Sequence, residues 1–105
     1  MDRQLSNARM GGVGNGWVPI LEEMFDKLKA IGWEGDVSQI KEKFGILRIY
    51  LTEETDEVEE IVREAEDKSA KVCEFCGSPG TLGGEYWLKT LCPECRIKED
   101  IRLKR

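Results

Sequence analysis

The chain of 105 residues contains no histidine, only four cysteines and three prolines, and no apolar run near the twenty or so residues that cross a bilayer. Without histidine it lacks the side chain that most often acts as a general acid or base near neutral pH. The start of the chain lacks the apolar core of a secretory signal. These absences predict a cytoplasmic, soluble protein that does not contact a membrane.

The chain also lacks an excess of positive charge. Asp and Glu number 21 against 16 Lys and Arg, which gives a net charge of −5. Residues 1–71 carry 16 of the acidic and 10 of the basic side chains, whereas residues 72–105 carry 5 and 6. An acidic chain argues against a broad, non-specific nucleic-acid binder, although a local basic face remains compatible with it.

The four cysteines stand in two matched pairs, each with two residues between its cysteines. This spacing lets one tight turn, here called a knuckle, present both sulfurs to the same ion. Gly77 after the first pair and Pro93 inside the second are residues that such turns use. Two knuckles complete a tetrahedron, so the spacing predicts one structural zinc ion. Its ligands would be Cys73, Cys76, Cys92 and Cys95.

Other uses of paired cysteines are less consistent with the chain. A disulfide framework needs an oxidising compartment, which the N-terminus does not indicate. A thioredoxin-type dithiol uses one pair near a βαβ unit, not two pairs around a hairpin. Rubredoxin-like iron proteins do use two such pairs, so iron remains the alternative occupant.

Residues 17–71 predict a small α-β-β-α body. Apolar residues recur at helical spacing over 17–31, and β-branched and aromatic residues favour a hairpin with strands at 37–42 and 46–51. An acidic amphipathic helix should follow at 55–70, with its carboxylates near the helix N-terminus. Since two strands alone are marginal, both helices should cover the apolar face of the hairpin.

The two ends of the chain predict different structures. Residues 1–16 include a glycine-rich segment that predicts a flexible leader, because no strand precedes it and no Gly-Lys-Ser/Thr ending makes it a phosphate-binding loop. Residues 72–105 should form the metal-binding module, with a short hairpin over 81–91 and a helix that starts at the second knuckle. The predicted fold class is therefore α+β: an α-β-β-α body followed by a C-terminal four-cysteine module.

Knuckle, hairpin, knuckle and helix is the order of elements in a treble-clef zinc finger, which residues 73–105 resemble. A zinc ribbon, with a strand after the second pair, is the alternative. Treble-clef modules are similar in fold across DNA readers of the GATA type, ribosomal proteins and protein-interaction fingers. The resemblance therefore implies a metal and a fold, but no single activity.

A second resemblance covers residues 17–95. The string from Gln39 to Arg48, followed by an acidic helix and Cys-Glu-x-Cys-Gly, is similar to a group of small uncharacterised proteins from phages and bacterial genomes. This group implies a phage or bacterial context, but no mechanism.

Two functions are consistent with these observations, and neither is enzymatic, because four thiolates close the metal shell to substrate. The first is a protein-interaction module, adaptor or regulatory, whose partner and oligomeric state the sequence leaves open. The second is nucleic-acid binding through the basic final helix, with Tyr86 and Trp87 available to stack. The residues expected to contact nucleic acid are Lys89, Arg96, Lys98, Arg102, Lys104 and Arg105.

Overall fold

The computed structural model describes residues 13–84 and 88–103, with only the backbone described at the last two of them. The predicted α+β class is confirmed, and the helices and strands of the body end within one residue of the predicted bounds. Among these residues, no helix combines the length and the apolarity that crossing a membrane requires. After a 3₁₀ turn at Asn15–Trp17, the elements are α1 Val18–Ala30, β1 Val37–Lys43, β2 Ile46–Leu51, α2 Asp56–Ser69, β3 Thr81–Gly83, β4 Lys89–Leu91 and α3 Pro93–Leu103.

The two helices of the body begin and end at residues suited to those positions. Pro19 lies in the first turn of α1, where its missing N–H is not needed. Gly32 follows the helix with a φ of 82°, in the left-handed region that favours glycine. The side chain of Thr55 caps α2 by accepting a hydrogen bond from the N–H of Val58.

β1 and β2 form an antiparallel hairpin whose last pair is Lys43 with Ile46. The two residues of the turn, Phe44 and Gly45, have φ values of 55° and 88°. Positive φ at both positions is what a type I′ turn requires, and this turn matches the twist of the strands. Alternate residues of β2 face the core and are buried: Leu47, Ile49 and Leu51.

The main core lies between the hairpin and the two helices. Trp17, Leu21, Leu28 and Leu47 are fully buried in it, so the first residue of the predicted helix anchors the core. On the surface, Lys27 and Lys68 pair with carboxylates of both helices. Solvent screens such exposed ion pairs, so burial of the apolar stripe stabilises the body more than they do.

Side chains of α2, and of the loop before it, close the outer edge of β2. The N–H of Leu47 donates to Ser69 Oγ at 2.9 Å, and the N–H of Ile49 donates to Glu66 Oε2 at 3.0 Å. The N–H of Leu51 donates to Glu54 Oε2 at 3.3 Å in the same way. The backbone N–H groups that an added strand would need are thus already hydrogen-bonded, so this edge is not open to strand pairing.

The body and the cysteine module are held together by specific contacts. Thr90 Oγ1 on β4 donates to the carbonyl of Gly45 at 2.8 Å, in a buried hydrogen bond. Trp17 Nε1 donates to the carbonyl of Val72 at 2.9 Å, directly before the first cysteine. These hydrogen bonds therefore connect the body and the module across the predicted boundary at residues 71 and 72.

The structure differs from the predicted leader at residues 13–16. These residues lead into the 3₁₀ turn, and Gly16 is buried against the first knuckle. Residues 1–12, which make up the rest of the predicted leader, lie outside the described residues.

Candidate metal centre

The four cysteines meet at one point between the two knuckles. Their sulfur atoms all lie within 4.8 Å of one another, and the sulfurs of Cys76 and Cys92 are 3.6 Å apart. In a zinc tetrahedron with Zn–S bonds of about 2.3 Å, neighbouring sulfurs are about 3.8 Å apart. All four are free thiols, since a disulfide would bring two sulfurs to about 2.05 Å. The four predicted ligands are thus positioned to bind a metal ion.

Backbone hydrogen bonds fix the first knuckle. The N–H of Cys73 donates to the carbonyl of Ser78 at 2.7 Å, and the N–H of Gly77 donates to the carbonyl of Cys73 at 3.0 Å. Gly77 has a φ of 85°, so the turn places glycine where another residue would be strained. These bonds hold the backbone of the first pair in a turn that directs both sulfurs to one point.

The second knuckle opens directly into α3. The helix begins at Pro93, and the N–H of Cys95 donates to the sulfur of Cys92 at 3.4 Å. The N-terminus of a helix carries a partial positive charge that stabilises nearby thiolates. The local sequence Cys-Pro-Glu-Cys therefore places two ligands at the N-terminus of α3.

The sulfurs differ in proton affinity. Hydrogen bonds from the side chain and the backbone of Ser78 lower the pKa of Cys76 to about 6. Burial raises the pKa of Cys95 to about 12, and its hydrogen-bonded neighbouring cysteines add to this effect. Because a thiol must lose its proton to bind a metal ion, metal binding at these cysteines should release protons.

Arg96 joins α3 to the β3–β4 hairpin. Its guanidinium donates to three backbone carbonyls: those of Thr81 at 2.7 Å, Gly83 at 3.0 Å and Lys89 at 3.1 Å. Hydrogen bonds from a charged donor are stronger than neutral ones. Arg96 therefore acts as a clamp that fixes the hairpin relative to the helix that carries the second pair of cysteines.

Glu74 lies inside the first knuckle and is almost fully buried, with 3% of its surface exposed. Its Oε2 accepts the N–H of Gly14 at 3.1 Å, and its Oε1 lies 3.8 Å from Lys89 Nζ. Burial raises the pKa of this carboxyl, although the charge of Lys89 acts in the opposite direction. The sequence alone assigned no role to Glu74, which in the structure links the first knuckle, β4 and the N-terminal segment.

The N-terminal segment packs closely against the first knuckle. The N–H of Gly16 donates to the carbonyl of Glu74 at 2.7 Å, 58 positions along the chain. A Cβ atom on Gly16 would lie only 2.1 Å from the carbonyl oxygen of Cys73 and 2.6 Å from the backbone nitrogen of Gly77. Glycine is therefore required here for close backbone approach. The available signal was the direct transition from glycines to Trp17, a large apolar residue at a helix start.

Two of the predicted nucleic-acid contacts have internal partners. Lys89 Nζ lies 3.8 Å from Glu74 Oε1, and the guanidinium of Arg96 donates to backbone carbonyls, while contact of either residue with phosphates stays a prediction. Lys98 is exposed on α3. Arg102 lies on the same helix, but its side chain is outside the described part of the chain. Also outside it are Tyr86, Trp87, Lys104 and Arg105.

Comparison with known proteins returns no relatives. No protein-family model matches the chain, and neither the curated proteins nor the solved structures contain a match. The resemblances to treble-clef fingers and to small phage and bacterial proteins are therefore unsupported by any match.

Proposed function

We propose that this chain is a structural-zinc protein whose role is to bind a protein partner. Four thiolates in a tetrahedral arrangement suit zinc, with iron as the alternative, and leave no open position for a substrate or a reacting water. The order of first knuckle, β3–β4 hairpin, second knuckle and α3 supports a treble-clef module. A zinc ribbon would have a strand where α3 lies.

The observation that supports the interaction role is the backbone conformation and the exposure of Phe44. This residue has a φ of 55°, and its side chain is 66% exposed. Bulky residues rarely adopt positive φ, and the first position of a type I′ turn favours Asn or Gly. The ring gains little burial in return for this strain. Strained residues tend to lie at functional sites, so the exposed ring is a candidate partner contact.

Phe44 does not stand alone. The adjacent Gly45 packs against β3–β4, where an added Cβ would lie 2.5 Å from a methyl carbon of Leu82 and 3.0 Å from the backbone of Leu88. Leu82 and Leu88 are 44% and 43% exposed. Leu82 on β3 and Leu88 just before β4 thus lie beside the turn that carries Phe44, and the three exposed apolar residues Phe44, Leu82 and Leu88 are here called the apolar tip.

The metal site and the apolar tip are structurally connected. Thr90 joins β4 to the carbonyl of Gly45, and the N–H of Glu74 in the first knuckle donates to the carbonyl of Thr90 at 2.9 Å. In this proposal zinc therefore has the role of holding Leu82 and Leu88 beside Phe44. Nucleic-acid binding through α3 is less supported, because Lys89 and Arg96 already have partners within the module.

Replacing Phe44 with asparagine separates stability from binding. Asn suits the type I′ turn, so Phe44→Asn should raise the free energy of unfolding by about 1 kcal/mol. The same change should weaken partner binding at least about ten-fold, because exposed aromatic residues commonly dominate interfaces. Urea unfolding gives the first quantity. Affinity capture from cells of the source organism, followed by titration of the purified partner, gives the second.

Glu53 provides the matched control. It also has a φ of 55°, but it follows β2 at the end of the hairpin opposite the apolar tip. Glu53→Asn should relieve similar strain and leave partner affinity unchanged. The proposal is wrong if Phe44→Asn binds the purified partner as tightly as the wild type does.

A further inference from the structure

The outer face of the β1–β2 hairpin carries a cluster of positive charge. Lys41 pairs with Arg48 across the strands, and Lys43 pairs with Ile46. Because side chains alternate along a strand, these residues lie on the side opposite the buried Leu47 and Ile49. Lys41, Lys43 and Arg48 are here called the basic face. It begins at the apolar tip and extends along the hairpin of an otherwise acidic protein.

The three cations of the basic face lack ion-pair partners among the described residues, whereas Lys27, Lys68 and Lys89 are all paired. Arg48 Nε is buried and has no hydrogen-bond partner in the described part of the chain. The charge of Arg48 lowers the pKa of Glu66, against the larger effect of burial, but one oxygen of that carboxyl already accepts the N–H of Ile49.

Aromatic rings lie beside these charges. Lys41 Nζ is 5.8 Å from the ring centre of Tyr50, and Lys43 Nζ is 5.7 Å from the ring centre of Phe44. A base could stack on either ring only by displacing the ammonium group, which argues against single-stranded nucleic acid. A carboxylate can pair with the ammonium groups while an apolar side chain contacts the ring edges, so the arrangement favours an acidic peptide.

We infer that the partner binds through an acidic segment with interspersed apolar side chains, its carboxylates on the basic face and its apolar side chains on the apolar tip. This inference rests on the proposed function and specifies the chemistry of its partner. The net charge of −5 supports it, because the excess of negative charge on the chain repels such a segment, whereas a local cluster of cations attracts it.

The test uses zinc-loaded full-length protein and three labelled probes: a peptide alternating Leu and Glu, a peptide alternating Leu and Lys, and a short oligothymidine. Fluorescence anisotropy at low and at physiological salt gives the affinities. The Leu/Glu peptide should bind at least about ten-fold tighter than the Leu/Lys peptide, because charge complementarity sets specificity. Lys41→Glu combined with Lys43→Glu should abolish this preference, and Phe44→Asn should weaken binding of the Leu/Glu peptide.

A matched control places the same charge change elsewhere. Lys29 and Lys71 are exposed and lie outside the basic face, so Lys29→Glu combined with Lys71→Glu should leave the preference intact. If both peptides bind equally well and Phe44→Asn abolishes their binding, the inference is wrong but the proposed function stands. If the Leu/Glu peptide needs the two lysines but binds equally well to Phe44→Asn, the apolar tip is not part of the binding surface.

Three further outcomes overturn the inference. If the Leu/Glu peptide does not bind, the protein does not recognise an acidic segment with apolar side chains, as the inference requires. Tighter binding of oligothymidine than of the Leu/Glu peptide would make the basic face a nucleic-acid surface. Sedimentation of the protein alone could reveal a dimer that the Lys41→Glu and Lys43→Glu pair dissociates, and the occupant would then be the acidic surface of a second copy.

Discussion

Removal of zinc should unfold the cysteine module and also expose Trp17 at the start of α1. A structural zinc site forms only in the folded state, so the binding free energy of the ion, roughly 10 kcal/mol or more in small fingers, contributes to folding. Trp17 is sensitive to this loss, because its indole N–H bonds to the carbonyl of Val72 beside the first ligand. We therefore expect chelation to destabilise the body as well as the module.

Tryptophan fluorescence tests whether Trp17 becomes exposed, separately from whether the cysteine module unfolds. In a variant with Trp33→Phe and Trp87→Phe, the emission of Trp17 should shift to longer wavelength as a chelator is added, and zinc should reverse the shift. Cys73→Ser should give the shifted spectrum without chelator, whereas Ser38→Ala at an exposed site should not. The structural role of zinc is contradicted if circular dichroism and thermal stability are unchanged after complete metal removal. An unshifted spectrum on unfolding of the module would contradict only the coupling to α1.

Gly16→Ala should be the most damaging small substitution in the described chain. The added Cβ would approach the carbonyl oxygen of Cys73 to 2.1 Å and the backbone nitrogen of Gly77 to 2.6 Å. Both atoms belong to the backbone of the first knuckle, so relief requires the 3₁₀ turn or the knuckle to move. Overpacking and a lost buried hydrogen bond together should cost about 3 kcal/mol or more.

Gly83→Ala is the matched control, because a Cβ there meets no atom of the described residues within 4 Å. It should change the free energy of unfolding by less than about 1 kcal/mol, as expected for a glycine replaced without strain. Urea unfolding measures both variants, and competition with a chromophoric chelator measures whether Gly16→Ala also weakens zinc binding. Equal stability of the two variants would show that the N-terminal segment does not pack on the knuckle as described.

Those parts of the fold that depend on local pattern could be predicted from the sequence. The apolar spacing of α1 and the alternation in β2 report which side faces the core, and the two pairs of cysteines bring their ligands together through short turns. Each of these signals lies within a few residues of the structure that it specifies. The types of the elements and the identity of the four ligands could therefore be predicted from the sequence.

Contacts between distant residues could not be predicted in this way. Gly14 and Gly16 look the same in a flexible leader and in a close backbone approach, and only the position of Glu74, 60 residues after Gly14, decides between them. The charge of Arg96 likewise suggested a phosphate contact, while its actual partners are carbonyls of the neighbouring hairpin. Composition records that a charge is present, but the tertiary fold determines whether it is available.

The most direct test of a structural zinc site is the metal content of the purified protein, measured by native mass spectrometry after expression in zinc-supplemented medium. We expect one zinc ion per chain, with metal lost from Cys76→Ser and Cys95→Ser but retained in the Ser38→Ala control. A chain that carries no metal while its four cysteines remain reduced, or one whose cysteines form disulfides, would contradict this assignment.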